Sequence, residues 1–145
     1  MRAKEFLKQY EYANQRAELL AMEYRAEQEK IDAVRSTADY DGQPHTTGVS
    51  KPVERLAERL ADKSAQWKMA ELEAVQARQR VFDLIWDIPK QEGRVLVHRY
   101  IELMTWEDIA EAMSYSLPGV YGVHQRALVI VQNRLDAREN CDNDE

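Results

Sequence analysis

The chain has 145 residues, a length that suits one domain, or one small domain with an appendage. Lys and Arg number 20 against 26 Asp and Glu, which gives a net charge of −6, and 5 Gly with 4 Pro are too few for a turn-rich all-β fold. The longest apolar run, Ala127 to Val131, is far shorter than the roughly 20 residues that span a bilayer. The first residues lack an apolar signal region, and the single cysteine, Cys141, rules out an internal disulfide and a cysteine-based zinc site. We therefore expect a cytoplasmic protein with no membrane partner.

A heptad pattern runs from residue 1 to about residue 37. Its seam positions alternate steps of three and four residues, which is the 3.5-residue repeat of a coiled coil. All but Glu27 are apolar, and they are Ala3, Phe6, Tyr10, Ala13, Ala17, Leu20, Tyr24, Glu27, Ile31 and Val34. The pattern predicts one long helix.

A second segment repeats the pattern after a predicted loop over residues 38–52, which holds two Gly and two Pro and has no periodicity. Ser50 is the expected N-cap of the second helix, with Pro52 in its first turn. All but Lys63 of its seam positions are apolar, and they are Val53, Leu56, Leu60, Lys63, Trp67, Ala70, Ala74, Ala77, Val81, Leu84 and Ile88. Two such helices joined by one loop predict an antiparallel coiled-coil hairpin over residues 1–88.

The two patterns also suggest a register, in which the numbers of facing residues sum to about 90 or 91. Tyr24 then faces Trp67, and the two polar exceptions, Glu27 and Lys63, face each other. The alternative is that both charged residues are exposed to solvent at a frayed point of the hairpin.

Four apolar residues lie beside the main seam: Leu19, Met22, Met69 and Leu72. They either widen the seam slightly or form a surface that packs against a second copy or the C-terminal domain, because a lone two-helix arm is marginally stable. The second interpretation predicts a homodimer.

The C-terminal part, residues 89–136, carries a helix-turn-helix pattern. Thr105 is the expected N-cap of the first helix, with Asp108 three residues later, and Ser116 is the expected N-cap of the second, with Pro118 in its first turn. Ser114 occupies the turn position that is usually Gly because the backbone there needs a positive φ. The positions where the unit requires small or apolar residues are Ile109, Ala110, Met113, Tyr115, Val120 and Val123.

These residues resemble those of known protein families. The stretch "RVLVHRYIELMTWEDIAEAMSYSLPGVYGVHQRAL" resembles the region-four helix-turn-helix of bacterial sigma factors. The whole chain resembles a family of small phage and prophage proteins of Gram-positive bacteria, which includes ArpU-like late transcriptional regulators and proteins of unassigned function. The resemblance implies an all-α protein in which a sigma-like three-helix unit follows the hairpin. It also implies a DNA-binding transcriptional regulator that uses its arm for oligomerisation or for contact with RNA polymerase.

The expected DNA-contacting residues lie in and before the second, recognition helix. Its first turns carry no charged side chain for bidentate base readout, so we expect weak sequence specificity on duplex DNA and mainly phosphate contacts. The alternatives are that Arg99 is only an exposed charge and that Tyr121 packs internally. The candidate residues are Arg99, Thr105, Ser116, Leu117, Pro118, Gly119, Tyr121, Gly122, Gln125 and Arg126.

Other functional classes find little support. We expect no enzyme, cofactor, metal or small-molecule substrate, because the chain has no glycine-rich phosphate loop, nucleophile elbow or H-E-x-x-H motif. We interpret His98 and His124 as packing or capping residues. Two further hypotheses stay open, namely an adaptor that docks on polymerase or packaging machinery without binding DNA, and a small-terminase-like DNA-recognition subunit. Residues 137–145, which carry half of the net charge, are predicted to be a disordered acidic tail.

Overall fold

The computed structural model describes residues 1–39 and 51–144, and all regular structure in these ranges is helical. The predicted all-α fold is confirmed. The expected cap Ser50 and most of the predicted loop lie outside the described residues. The elements are α1 (Ala3–Leu7), α2 (Gln9–Asp39), α3 (Lys51–Ile85), α4 (Lys90–Leu96), a π-helical segment (Val97–Ile101), α5 (Trp106–Met113) and α6 (Leu117–Asp142). None of these helices combines the length and apolar composition that crossing a bilayer requires.

The predicted first helix is present with one irregularity, at Lys8 between α1 and α2. Its amide donates to the carbonyl of Lys4 at 3.1 Å, and its own carbonyl accepts from the amide of Tyr12, also at 3.1 Å. Both are bonds between residues four apart, so helical hydrogen bonding continues through the irregularity.

Residues 14–73 form one compact unit, in which α2 and α3 run antiparallel. Arg16 pairs with Glu73 and Glu23 pairs with Lys63, so residues early in α2 meet residues late in this part of α3. The rings of Tyr24 and Trp67 lie 5.3 Å apart. The predicted hairpin and the predicted Tyr24–Trp67 contact are therefore confirmed.

The predicted pairing of Lys63 with Glu27 is wrong. The Nζ atom of Lys63 lies 2.8 Å from a carboxylate oxygen of Glu23, one turn away, while Glu27 pairs with Lys30 at 3.2 Å on its own helix. A lysine side chain is long enough to reach across the 5.4 Å of one helical turn. The Glu27 side chain is only 15% exposed, and its Oε2 atom is buried without a hydrogen-bond partner.

The other compact unit joins residues 1–13 with residues 74–145. The predicted boundary at residue 88 therefore differs from the observed division, since α1 and the end of α3 share a core with the C-terminal helices. The amide of Ala3 donates to Oε1 of Gln132 at 2.9 Å, which fixes α1 against α6. The buried members of this core are Ala3, Leu7, Val81, Leu84, Ile85, Ile88, Leu96, Tyr100, Ile101, Ala127, Val131 and Leu135.

Two details of this unit depart from the sequence predictions. Leu7 is fully buried while the predicted seam residue Phe6 is only partly buried, because α1 packs on α6 as well as along α3.

The predicted disorder of the tail is wrong for residues 137–142, since α6 continues to Asp142. Extending a helix that is already packed at Leu135 costs little, and the acidic side chains remain exposed on its surface.

Candidate nucleic-acid interface

A helix-turn-helix is built by α5, the turn after it and the first half of α6. Oγ1 of Thr105 accepts the amide N–H of Asp108 at 3.2 Å, so Thr105 caps α5 as predicted. Ser114 has φ 57° and ψ 40°, the left-handed conformation that the turn position requires. The amide of Tyr115 then donates to the carbonyl of Ala110 at 2.9 Å, which closes the turn. The predicted cap at Thr105 and the predicted turn conformation at Ser114 are both confirmed.

The second helix begins as expected. Oγ of Ser116 accepts the amide N–H of Gly119 at 3.2 Å, and Pro118 lies in the first turn, where its missing N–H has no helical partner to lose. Ser116 and Pro118 are both exposed to solvent. The positive end of the α6 dipole therefore faces solvent, where it favours an anion such as a phosphate.

A small core holds the two helices together. Ile109 and Val120 are fully buried, and Met113 and Val123 are nearly so, together with Val95 of α4. Tyr115, another of the six small or apolar positions of the pattern, is instead exposed. The core thus orients the opposite face of α6, which carries Pro118, Gly119, Tyr121, Gly122 and Gln125, toward solvent.

Trp106 was missed by the sequence analysis, yet it connects several candidate residues. The Arg99 guanidinium lies 4.6 Å from the centre of its ring, and the ring of Tyr121 meets it edge-on at 5.3 Å. Tyr121 therefore packs internally while leaving 42% of its surface exposed, so both interpretations of this residue hold in part. Arg99 also donates to the carbonyl of Met104 at 2.9 Å. Arg99 thus holds the segment at Met104, just before α5, in place.

His124 and Tyr100 form a buried polar pair behind this aromatic group. The Tyr100 hydroxyl and Nε2 of His124 lie 2.7 Å apart, and the His124 ring also meets Trp106 edge-on. Burial, with smaller contributions from Lys4 and Arg99, lowers the pKa of His124 to about 4. Burial also raises the pKa of Tyr100 to about 12. Both groups are neutral near pH 7, so one donates to the other, in the direction that the imidazole tautomer sets. His124 is therefore a packing residue, as interpreted from the sequence.

Two further cations of α6, Arg126 and Arg134, also have partners within the chain. Arg126 donates to Glu92 at 3.2 Å, but its side chain is 63% exposed. Arg134 donates to the carbonyl of Leu84 at 2.8 Å and to the carboxylate of Asp87, and its hydrogen bond to Asp87 lowers the pKa of that carboxyl. Arg134 therefore ties α6 to the end of α3, and Arg126 is the cation of this group with the most freedom to contact a ligand.

The distribution of acids separates the two helices of the unit. Exposed Glu107, Asp108 and Glu111 make the surface of α5 acidic, whereas α6 carries no acid between Leu117 and Leu135. A polyanion would therefore approach α6 more easily than α5. In the described ranges, 1–39 and 51–144, no three His, Cys, Asp or Glu side chains are grouped closely enough to hold a metal ion.

The four residues beside the seam are strongly exposed. Their relative accessibilities run from 57% to 74%, so the interpretation as a slightly widened seam is wrong for the isolated chain. They are Leu19, Met22, Met69 and Leu72, and we refer to them as the arm patch.

Comparisons with known proteins return nothing that identifies the chain: no family model matches it, and no curated protein or solved structure shows significant similarity to it.

Proposed function

We propose that the chain is a helix-turn-helix protein that binds duplex DNA and regulates phage or prophage transcription. The observation that carries the proposal is the second helix of the unit. Ser116 caps this helix, and the left-handed Ser114 forms the turn before it. Its first turns are exposed, and it carries no acid before Asp136. A helix with these properties can enter the major groove with its positive end toward a phosphate.

The contacts would be mostly to the DNA backbone. Pro118, Gly119 and Gly122 offer no side-chain donor or acceptor, which leaves Ser116, Gln125 and the Tyr121 hydroxyl for base edges. Phosphate contacts would come from the α6 N-terminus and from Arg126, which can exchange its exposed bond to Glu92 for a phosphate. Arg99 and Arg134 contribute less than their charges suggest, because both hold the fold together.

A salt titration of binding to random duplex DNA tests the proposal. One to three phosphate contacts give a slope of log affinity against log salt of about −0.9 to −2.7. Arg126→Ala should weaken binding and make the slope less negative by about one. Arg138→Ala is a matched control, since Arg138 is also exposed on α6 but lies beyond the helix-turn-helix.

Two results would contradict the proposal in different ways. Absence of binding at about 20 mM salt, where phosphate contacts are strongest, would reject DNA binding altogether. Nanomolar binding to one sequence by the isolated protein would reject weak base readout.

A second candidate is an adaptor that docks on a protein partner, such as RNA polymerase or packaging machinery. The exposed arm patch favours it, since contiguous exposed apolar side chains often mark protein interfaces. In the DNA-binding proposal the same patch serves self-association, and a two-fold dimer would double the number of phosphate contacts.

A further inference from the structure

A cavity of about 470 Å³ opens where α3 ends and α4 begins. It lies within the usual range of about 300–1,000 Å³ for ligand pockets. Its apolar lining comes from Trp86, Ile88 and Val97, and its polar lining from Lys90, Arg94 and His98. None of its lining residues belongs to α5 or α6, so it is a different surface from the candidate DNA interface.

The backbone around the cavity is held in an unusual conformation. Lys90 has φ 63°, a left-handed value that non-glycine residues rarely adopt. The backbone at Gly93 lies so close to the preceding turn that a Cβ atom on residue 93 would be 1.8 Å from the carbonyl oxygen of Ile88. This close approach fixes the turn and places Lys90 and Arg94 at the edge of the cavity.

Trp86 leaves much of its indole in solvent at this edge, with 62% of its surface exposed. Tryptophan is enriched among the residues that dominate protein interfaces, where it contributes a large and rigid apolar surface. Its neighbour Ile88 is buried in the floor of the cavity. An apolar side chain entering the cavity would therefore contact both residues.

The exposed charges at the edge of the cavity are positive. Lys90 and Arg94 are exposed and four residues apart, and neither has an ion pair within 4 Å in the described part of the chain, although Lys90 acts electrostatically on Glu92. Two nearby acids are paired with arginines, Asp87 with Arg134 and Glu92 with Arg126, and Glu102 is hydrogen-bonded to His98. An acidic ligand would meet two exposed cations here.

We propose that this cavity binds an acidic peptide segment of a partner protein, with an aromatic or aliphatic side chain inserted against Trp86 and Ile88 and flanking carboxylates on Lys90 and Arg94. The apolar lining favours a peptide over nucleic acid, because a phosphate would leave the floor of the cavity unfilled. The proposal does not depend on DNA binding by α6.

Nuclear magnetic resonance of the full ¹⁵N-labelled chain tests the proposal through its indole N–H signals. The probe is the peptide Ac-EEDFLEE-NH2, compared with the basic peptide Ac-KKRFLKK-NH2 and with Ac-EEDGSEE-NH2, which lacks the apolar anchor. The Trp86 signal should shift on addition of the first peptide only. The signal of Trp67, which lies on α3 in the other compact unit, should not move.

Two variants locate the site. Trp86→Ala should weaken binding about tenfold or more, the loss typical of a dominant interface residue. Because this variant lacks the Trp86 signal, its binding is read from the backbone amide signal of Gly93, which also lines the cavity. Lys90→Glu with Arg94→Glu should also weaken it about tenfold, through the loss and reversal of two exposed ion pairs. The matched control is Arg55→Glu with Arg59→Glu, another exposed pair four residues apart. An unchanged Trp106 signal, from the compact unit that holds the cavity, shows that each cavity variant has kept its fold.

Three outcomes would overturn the proposal. They are a Trp86 signal that does not respond to the acidic peptide, equal binding of the basic peptide, and binding that survives Lys90→Glu with Arg94→Glu. A Trp86 response to a 20-base-pair duplex without a response to the acidic peptide would assign the cavity to nucleic acid instead.

Discussion

The phenol of Tyr100 and the imidazole of His124 share a hydrogen bond of 2.7 Å in the interior, between the π-helical segment and α6. A neutral His124 can accept from the phenol at Nε2 or donate to its oxygen, according to the imidazole tautomer. Protonation of His124 would bury a positive charge in the interior. The pair thus makes stability depend on pH.

We expect stability to fall as the pH drops from 6.5 to about 4. The pKa of His124 is lowered to about 4 from the ordinary value of 6.5, so the unfolded chain binds the proton more readily across this window. Neutral His124 therefore contributes about 3 kcal/mol to the free energy of unfolding, and this contribution is complete above pH 6.5. Urea unfolding at pH 7 and 4.5 should show a loss about 2 kcal/mol larger for the wild type than for His124→Gln. An equal loss in the wild type and in His124→Gln would contradict the expectation.

Gly93→Ala should destabilise the protein, although the same change in most helices is favourable. The added Cβ would collide with the Ile88 carbonyl, and overpacking of this kind costs about 1–3 kcal/mol. Gly122→Ala is the matched comparison, since a Cβ there comes no closer than 4.0 Å to Arg126. That change should stabilise the protein by about 1 kcal/mol. Thermal unfolding of the two variants should therefore shift in opposite directions, and a shift of both in the same direction would contradict the geometry.

A double-mutant cycle tests the charge pairing of the hairpin. Lys63→Met and Glu23→Gln should show a coupling of about 0.2–1 kcal/mol, since the pair is partly exposed. Lys63→Met and Glu27→Gln should show a smaller coupling, because Glu27 is held by Lys30. A larger coupling with Glu27 would restore the pairing predicted from sequence.

The arm patch should mediate self-association. Met22→Glu with Met69→Glu places two charges in the patch, so a dimer of the wild type should dissociate to monomers in sedimentation equilibrium. Arg25→Gln with Lys68→Gln changes the net charge by the same −2 and should leave the dimer intact. A wild type that stays monomeric at high concentration would contradict the prediction.

The local features of this fold could be predicted from sequence because they depend on nearby residues. Heptad spacing gave both long helices, and the caps at Thr105 and Ser116 and the left-handed Ser114 followed from position within one motif. The partners of Arg99, Arg126 and Arg134 could not be predicted, since they depend on where α4, the end of α3 and the segment before α5 meet α6. The helix-turn-helix was therefore located correctly from the sequence, while the freedom of its cations was overestimated.

The cavity beside Trp86 was missed for a related reason. Its positive edge depends on which acids are already engaged, and its shape depends on a left-handed Lys90 that no turn motif in the sequence indicates. Gly93 was the available signal, since a glycine within a helix often marks close backbone approach.

Helix α6 belongs to two apolar clusters at once. Val120 and Val123 lie in the core of the helix-turn-helix, and Ala127, Val131 and Leu135 lie in the core shared with α1 and α3. Rotating α6 to present other residues would disrupt both clusters, so its outward face is fixed. Side chains on that face, such as Pro118, Gly122 and Gln125, can however be replaced without repacking anything. The outward face of this helix is thus free to diverge between related proteins, or to be redesigned, while the fold that carries it stays the same.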